Sequence, residues 1–159
     1  MEQILEKLFE SRPRVRVLRL LLQNTEELFT IAEIGKKTKV RPQTVRGELV
    51  KLAGIGLVKR KGDQYGANLA FILLNELRDL IVKSSTASRK RMLQGIKRLG
   101  RIRLTVLSGI FINNENSRTD LLIVGDDIQK RRIERFLQNT ESELGKSIRY
   151  AVMDTDEFK

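Results

Sequence analysis

Apolar positions recur at helical spacing through the first half of the chain and turn to strand patterning in the last third. Ile4, Leu5, Leu8 and Phe9 line one side of a short helix over 3–10. Pro13 interrupts that helix. A second helix follows over 14–23, with Val15, Leu18, Leu21 and Leu22 inward and Arg16 and Arg19 outward. Leu28-Phe29 reads as a short strand. Thr30 is placed to N-cap a helix beginning at Ile31, with Glu33 completing a capping box. Lys39-Val40-Arg41 turns the chain, and Pro42 opens a helix to Ala53 with Val45, Leu49, Leu52 and Ala53 on its apolar side. Gly54 and Gly56 end it. Residues 57–61 form a strand, Gly62-Asp63 a turn and Gln64-Tyr65 the returning strand.

Beyond the hairpin, 69–82 reads as a helix with a stripe of Leu69, Ile72, Leu73, Leu77, Leu80 and Ile81. Such a stripe packs on its own domain or serves as a dimer or interdomain surface. Periodicity stops at the small, polar run 83–88, the expected domain boundary. A basic helix follows over 89–99. Strands are expected over 103–108, 120–125 and 147–153, with a polar loop over 111–117. Asp126-Asp127 is expected to cap a helix over 128–144 that Gly145 ends. Strand, strand, helix, strand implies a small mixed sheet. The expected domains are 1–83, a linker with a basic helix over 84–100, and 101–159.

Charge sharpens the picture. The chain carries a formal net charge of +11. Nine Lys or Arg and one acid, Glu48, fall between Lys36 and Lys61. A duplex is a dense line of negative charge, so a segment of this kind gains by releasing counterions on docking. Helix, turn, helix and basic hairpin is the layout of a winged helix-turn-helix. On that reading Gln43, Thr44 and Arg46 reach base edges. Lys36, Lys37, Lys39, Arg41 and Lys51 hold phosphates, and Lys59, Arg60, Lys61 and Gln64 form the wing. Seven basic residues and no acid between Arg89 and Arg103 make a second phosphate patch or a solvated helix face.

There is no cysteine and no histidine. That removes a disulfide framework, thiolate metal ligands, and the side chain most used as a general base. No cofactor is expected. No apolar run of membrane-spanning length and no signal-peptide pattern stands out, so a cytoplasmic protein without membrane contact is expected.

Two resemblances extend this reading. Residues 11–82 resemble winged-helix transcriptional regulators of the ArsR/MarR-like kind. Arg14-Val15-Arg16-Val17-Leu18, Ile31-Ala32-Glu33-Ile34, Val45-Arg46-Gly47-Glu48-Leu49 and Gly56-Leu57-Val58 carry the likeness. Residues 101–158 resemble a minimal nucleotidyltransferase domain of the DNA polymerase β superfamily, where paired aspartates hold catalytic metals. The motif reads Leu107-Ser108-Gly109 and Ser117-Arg118-Thr119-Asp120 here. Asp120 matches the second aspartate, Arg118 stands at the first, and 148–152 holds no carboxylate, so the resemblance implies the fold without the activity. The implied fold class is α+β: an N-terminal winged helix-turn-helix followed by a small α/β nucleotidyltransferase-like domain with a mixed sheet. The implied function is a DNA-binding transcriptional regulator, a homodimer on double-stranded DNA. Its C-terminal domain would dimerise or sense a ligand or protein. No catalytic or metal-binding residue is assigned. The alternatives are a nucleotidyltransferase of toxin–antitoxin type and an RNA-binding adaptor.

Overall fold

The computed structural model describes residues 2–84, 86–112, 114 and 116–158, with side chains described for 4–84, 91–112, 114 and 116–158. Among these the fold is α+β, with seven α-helices and two three-stranded sheets. The chain forms two compact units. One takes in 1–88 and 141–146, the other 89–140 and 147–159.

In the first unit α1 is Glu2–Leu8 and α2 is Arg12–Gln23. Pro13 lies inside the first turn of α2, where its missing N–H costs nothing. The break comes earlier, at Glu10 with φ 52°, and Ser11 caps α2 by accepting from Arg14 N. α2 is buried on nearly every side from Val17 to Leu22, which makes it the central helix. Arg19, expected outward, is therefore buried; its Nη1 donates to Glu143 O at 2.8 Å and its Nη2 to Ser84 Oγ at 3.3 Å. Arg16 is only half-buried, and its Nη1 donates to Thr38 O at 3.0 Å.

β1 is Phe29–Thr30, α3 Ile31–Thr38, α4 Pro42–Gly54, β2 Val58–Lys61 and β3 Gln64–Ala67. The Thr30–Glu33 capping box is present in both directions. The sheet runs β1-β3-β2, all antiparallel, with Phe29 opposite Tyr65 and Lys61 opposite Gln64. Gly62 at φ 63° supplies the left-handed residue of the hairpin turn. Val15, Leu18, Leu21, Phe29, Ile34, Val45, Leu49, Leu52 and Leu57 close one core. Each such side chain contributes about 1.5–3 kcal/mol on burial.

α5 is Leu74–Ser84, five residues later than the apolar stripe suggests. The cause is Asn68. Its Oδ1 accepts from Ala70 N and its Nδ2 donates to Gly56 O, while its carbonyl accepts from Phe71 N. These local bonds hold 68–73 in turns. Ile72 is consequently 87% exposed, with Leu69, Leu73 and Leu80 also outside; of the stripe Ile81 is buried, and Leu74, not part of it, is buried as well. Ala53, expected inward, is exposed. The run 83–88 is helical on both sides of Ser85, which lies outside the described residues.

The second unit holds β4 Arg101–Leu107, β5 Leu121–Asp126 and β6 Tyr150–Met153, with most of α6, Thr86–Ile96, and of α7, Lys130–Leu144; residues 86–88 and 141–144 of those helices belong to the first unit. The sheet order is β4-β5-β6; β4 is antiparallel and β6 parallel to the central, most buried strand. Leu121 and Ile123 are fully buried on β5. The stretch expected as a polar loop opens with a 3-10 turn, Gly109–Phe111, that buries Phe111; Asn113 and Glu115 lie outside the described residues. Asp126-Asp127 does not cap a helix. Asp126 ends β5, and its Oδ1 accepts from Thr155 Oγ1 at 2.8 Å. Asp127 takes φ 58° and pairs with Arg101 at 3.0 Å. Both carboxylates are committed before α7 begins. Among the described residues no helix is long and apolar enough to cross a membrane.

Candidate nucleic-acid interface

The elements that carry the basic stretch are positioned by a few local devices. At the end of α3, Lys39 adopts φ 56°, ψ 37° and its N–H returns to Gly35 O. Val40 N also donates to Gly35 O, at 3.1 Å. Gly35 permits this tight turn, because a Cβ there would stand 3.0 Å from Val40 O. Arg41 is extended, as the residue before a proline is, and Pro42 restarts the helix. No side chain caps the first N–H groups of α4 among the described residues. Those donors therefore face outward at the positive end of the helix dipole.

Eleven of the twelve residues assigned from the sequence are exposed: Lys36, Lys37, Lys39, Arg41, Gln43, Thr44, Arg46, Lys51, Lys59, Arg60 and Lys61; Gln64 is half-buried. They lie on α3, the turn, α4 and the hairpin. Lys37 Nζ sits 5.7 Å from the Phe29 ring centre. Arg60 lies 5.8 Å from the Tyr65 ring centre, and its Nε donates to Gly62 O at 2.7 Å. These contacts hold Lys37 against β1 and Arg60 against the hairpin, and leave both exposed. Gly47 has open space around it, so α4 presents bare backbone between Arg46 and Glu48.

Glu48 is the functional residue that periodicity alone did not single out. It shares the buried side of α4 with Val45, Leu49 and Leu52. Its Oε2 accepts from Arg14 Nε at 2.7 Å and its Oε1 from Ser11 Oγ at 3.1 Å, which ties α4 to the start of α2. Lys51 Nζ is 4.0 Å from the same carboxylate. The signal lay in the spacing: Glu48 falls three residues after Val45, on the apolar side. The consequence is electrostatic, because the one acid within 36–61 is turned inward and its charge is matched by Arg14.

In the second unit, Asp120 is 0% exposed. Its carboxylate accepts from Arg149 Nε and Nη2, both at 3.0 Å, from Arg149 N at 2.8 Å and from Ile110 N at 3.0 Å. Burial raises its pKa, but the Arg149 side chain, the Arg149 and Ile110 N–H groups and the Arg149 charge outweigh that. The carboxyl ends below its ordinary range. Gly109, at φ 54°, makes room, since a Cβ there would meet Asp120 Oδ1. Ser108 Oγ bonds Thr119 O and stands 3.1 Å from Ser117 Oγ. Arg118 is exposed. The guanidinium of Arg149 thus fills the cationic role beside Asp120, and no group of three or more metal-capable side chains gathers among the described residues. Neither protein-family models nor curated proteins give a match to this chain.

Proposed function

We propose that this protein is a DNA-binding transcriptional regulator whose first unit acts as a winged helix-turn-helix. The observation that carries the reading is a one-sided charge arrangement. The cations of 36–61 are exposed on α3, the turn, α4 and the hairpin, while Glu48 is buried against Arg14. In this reading α4 enters the major groove. Gln43, Thr44 and Arg46 read bases from its N-terminal half. Lys36, Lys37, Lys39, Arg41 and Lys51 hold phosphates, assisted by the uncapped N–H groups of α4. Lys59, Arg60, Lys61 and Gln64, on β2 and β3, form the wing. A homodimer on paired half-sites completes the assembly. The second unit serves dimerisation or sensing and does not transfer nucleotides, because Arg149 occupies both oxygens of the one carboxylate that matches a metal ligand.

The test is binding of the full chain to genomic duplex fragments and to random duplex at two salt concentrations. A fragment selected by sequence that stays bound at physiological salt is the expected result. Uniform binding that collapses with salt overturns it.

A further inference from the structure

The second unit carries a cationic cluster that its own fold does not neutralise. Gly95 of α6 faces the Phe136 ring of α7, and Gly100 faces Ile128. The chain from 95 to 100 therefore runs alongside 128–136 in the opposite direction. Lys97 and Arg98 lie between those two contacts, beside the first turns of α7. Those turns present Lys130, Arg131, Arg132 and Arg135, all exposed like Lys97 and Arg98. Arg131 and Arg135 share one side of the helix at i, i+4.

Neighbouring cations are treated differently. Arg101 pairs with Asp127 at 3.0 Å, and Arg103 stands 4.0 Å from Asp126. No ion pair joins any of the six to an acid among the described residues. α7 also has no acid in its first turn, so three cations sit at the positive end of its dipole. Each opposes the dipole, and like charges at i, i+4 repel as well. Glu134, the one acid among residues 130–135, is half-buried and pairs with none of these cations among the described residues. The arrangement is one that a polyanion stabilises, because each phosphate bound relieves repulsion and releases counterions.

We propose that the second unit bears its own duplex-phosphate surface, made of Lys97, Arg98, Lys130, Arg131, Arg132 and Arg135. It contributes affinity without reading sequence. The choice of duplex DNA as its ligand rests on the DNA-binding reading of the first unit; the clustering of charge does not.

The test measures duplex binding by the full chain as a function of salt. The variant Lys97→Gln/Arg98→Gln/Arg131→Gln/Arg135→Gln changes only exposed positions. Its control removes four exposed cations elsewhere, as Lys7→Gln/Arg12→Gln/Arg78→Gln/Arg118→Gln. A third protein, Arg98→Lys/Arg131→Lys/Arg135→Lys, keeps the charge. Thermal melts establish that each is folded. The cluster variant is expected to bind random duplex about tenfold more weakly, with a salt slope shallower by about 0.9 for each phosphate it no longer neutralises. The control changes far less, and the lysine variant retains binding. Equal losses in cluster variant and control reduce the effect to net charge and overturn the proposal. Unchanged binding overturns it too, as does loss of single-stranded RNA binding with duplex binding intact. The two readings fail separately. If sequence preference is absent but the cluster variant still loses affinity, the first unit's reading falls and the phosphate surface stands. If the intact chain binds no duplex, both fall.

Discussion

Arg14 Nε donates to Glu48 Oε2 at 2.7 Å, and this bond joins two helices that start 30 residues apart, at Arg12 and Pro42. Glu48 is buried, so truncating it leaves Arg14 and Ser11 without their acceptor. Glu48→Ala is expected to destabilise the first unit by about 2 kcal/mol. For a unit of this size the melting temperature falls by roughly 10 °C. Unaltered melting would mean that the pair is replaced by water at no cost. The same variant leaves every proposed DNA contact in place, so its binding at low temperature should stay close to that of the parent chain.

Arg46 and Arg60 are assigned different work in the proposed complex. Arg46 sits on the second turn of α4, where side chains meet base edges; Arg60 sits on β2, where they meet backbone. Arg46→Ala is expected to cost about 1–3 kcal/mol on a selected duplex and far less on random duplex. Arg60→Ala should weaken both alike and make the salt slope shallower by about 0.9. Titrations of both duplexes at several salt concentrations separate the two outcomes. Identical behaviour of the two variants contradicts this division of labour.

The Asp120–Arg149 pair gives the second unit a signed dependence on pH. The folded state holds the Asp120 carboxyl below its ordinary range, so between the folded and unfolded pKa values the unfolded chain binds more protons. Stability therefore rises with pH across that window. The contribution is complete above the unfolded value, about 3.9, and is lost as pH falls through the folded one. Glu33 and Asp126 are shifted the same way, Glu33 first by the Thr30 N–H and Asp126 first by the Thr155 hydroxyl. Subtracting the melting curve of Asp120→Asn isolates the Asp120 part. A variant as acid-sensitive as the parent would refute the assignment.

Arg118→Asp restores the carboxylate that the nucleotidyltransferase resemblance expects. It is not expected to create a metal site, because Arg149 and two backbone N–H groups already engage both oxygens of Asp120. A divalent cation would have to displace a bidentate guanidinium from a buried carboxylate. Calorimetric titration with magnesium and manganese should show no saturable heat. Stoichiometric binding would show that the Arg149 contact yields easily.

Periodicity reads this fold well wherever a residue has one strong local preference. The Thr30 capping box, the Pro42 restart and the Gly62 turn all stand where short-range chemistry puts them. Three of the misses have a common origin in polar side chains with long-range or competing partners. Arg19 looks like a surface residue until Ser84 and the carbonyl of Glu143 are brought to it. Asn68 commits its hydrogen bonds to 56–71 and delays α5 past an apolar stripe that reads as helix. Asp126 resembles an N-cap until Thr155 and β5 claim it. In the candidate site, exposure of the basic residues was legible, since nothing apolar competes for them. The inward turn of Glu48 was legible only in its spacing from Val45; its partner Arg14, 34 residues away, was not.

Gly47 separates what α4 needs as a helix from what it needs as a ligand-facing surface. Glycine in a helix interior costs about 1 kcal/mol relative to alanine. A Cβ at this position meets nothing within 4 Å, so Gly47→Ala carries no steric cost in the folded chain. Stability should rise by about 1 kcal/mol. In the proposed complex the same methyl group lies on the exposed side beside Arg46, where α4 approaches the groove wall. Duplex affinity should then fall, by more on the selected sequence than on random DNA, while the melting temperature rises. Opposite signs in the two measurements are the signature of a glycine kept for close approach. A rise in both would place the docking surface away from Gly47 and shift the bases read toward Gln43 and Thr44.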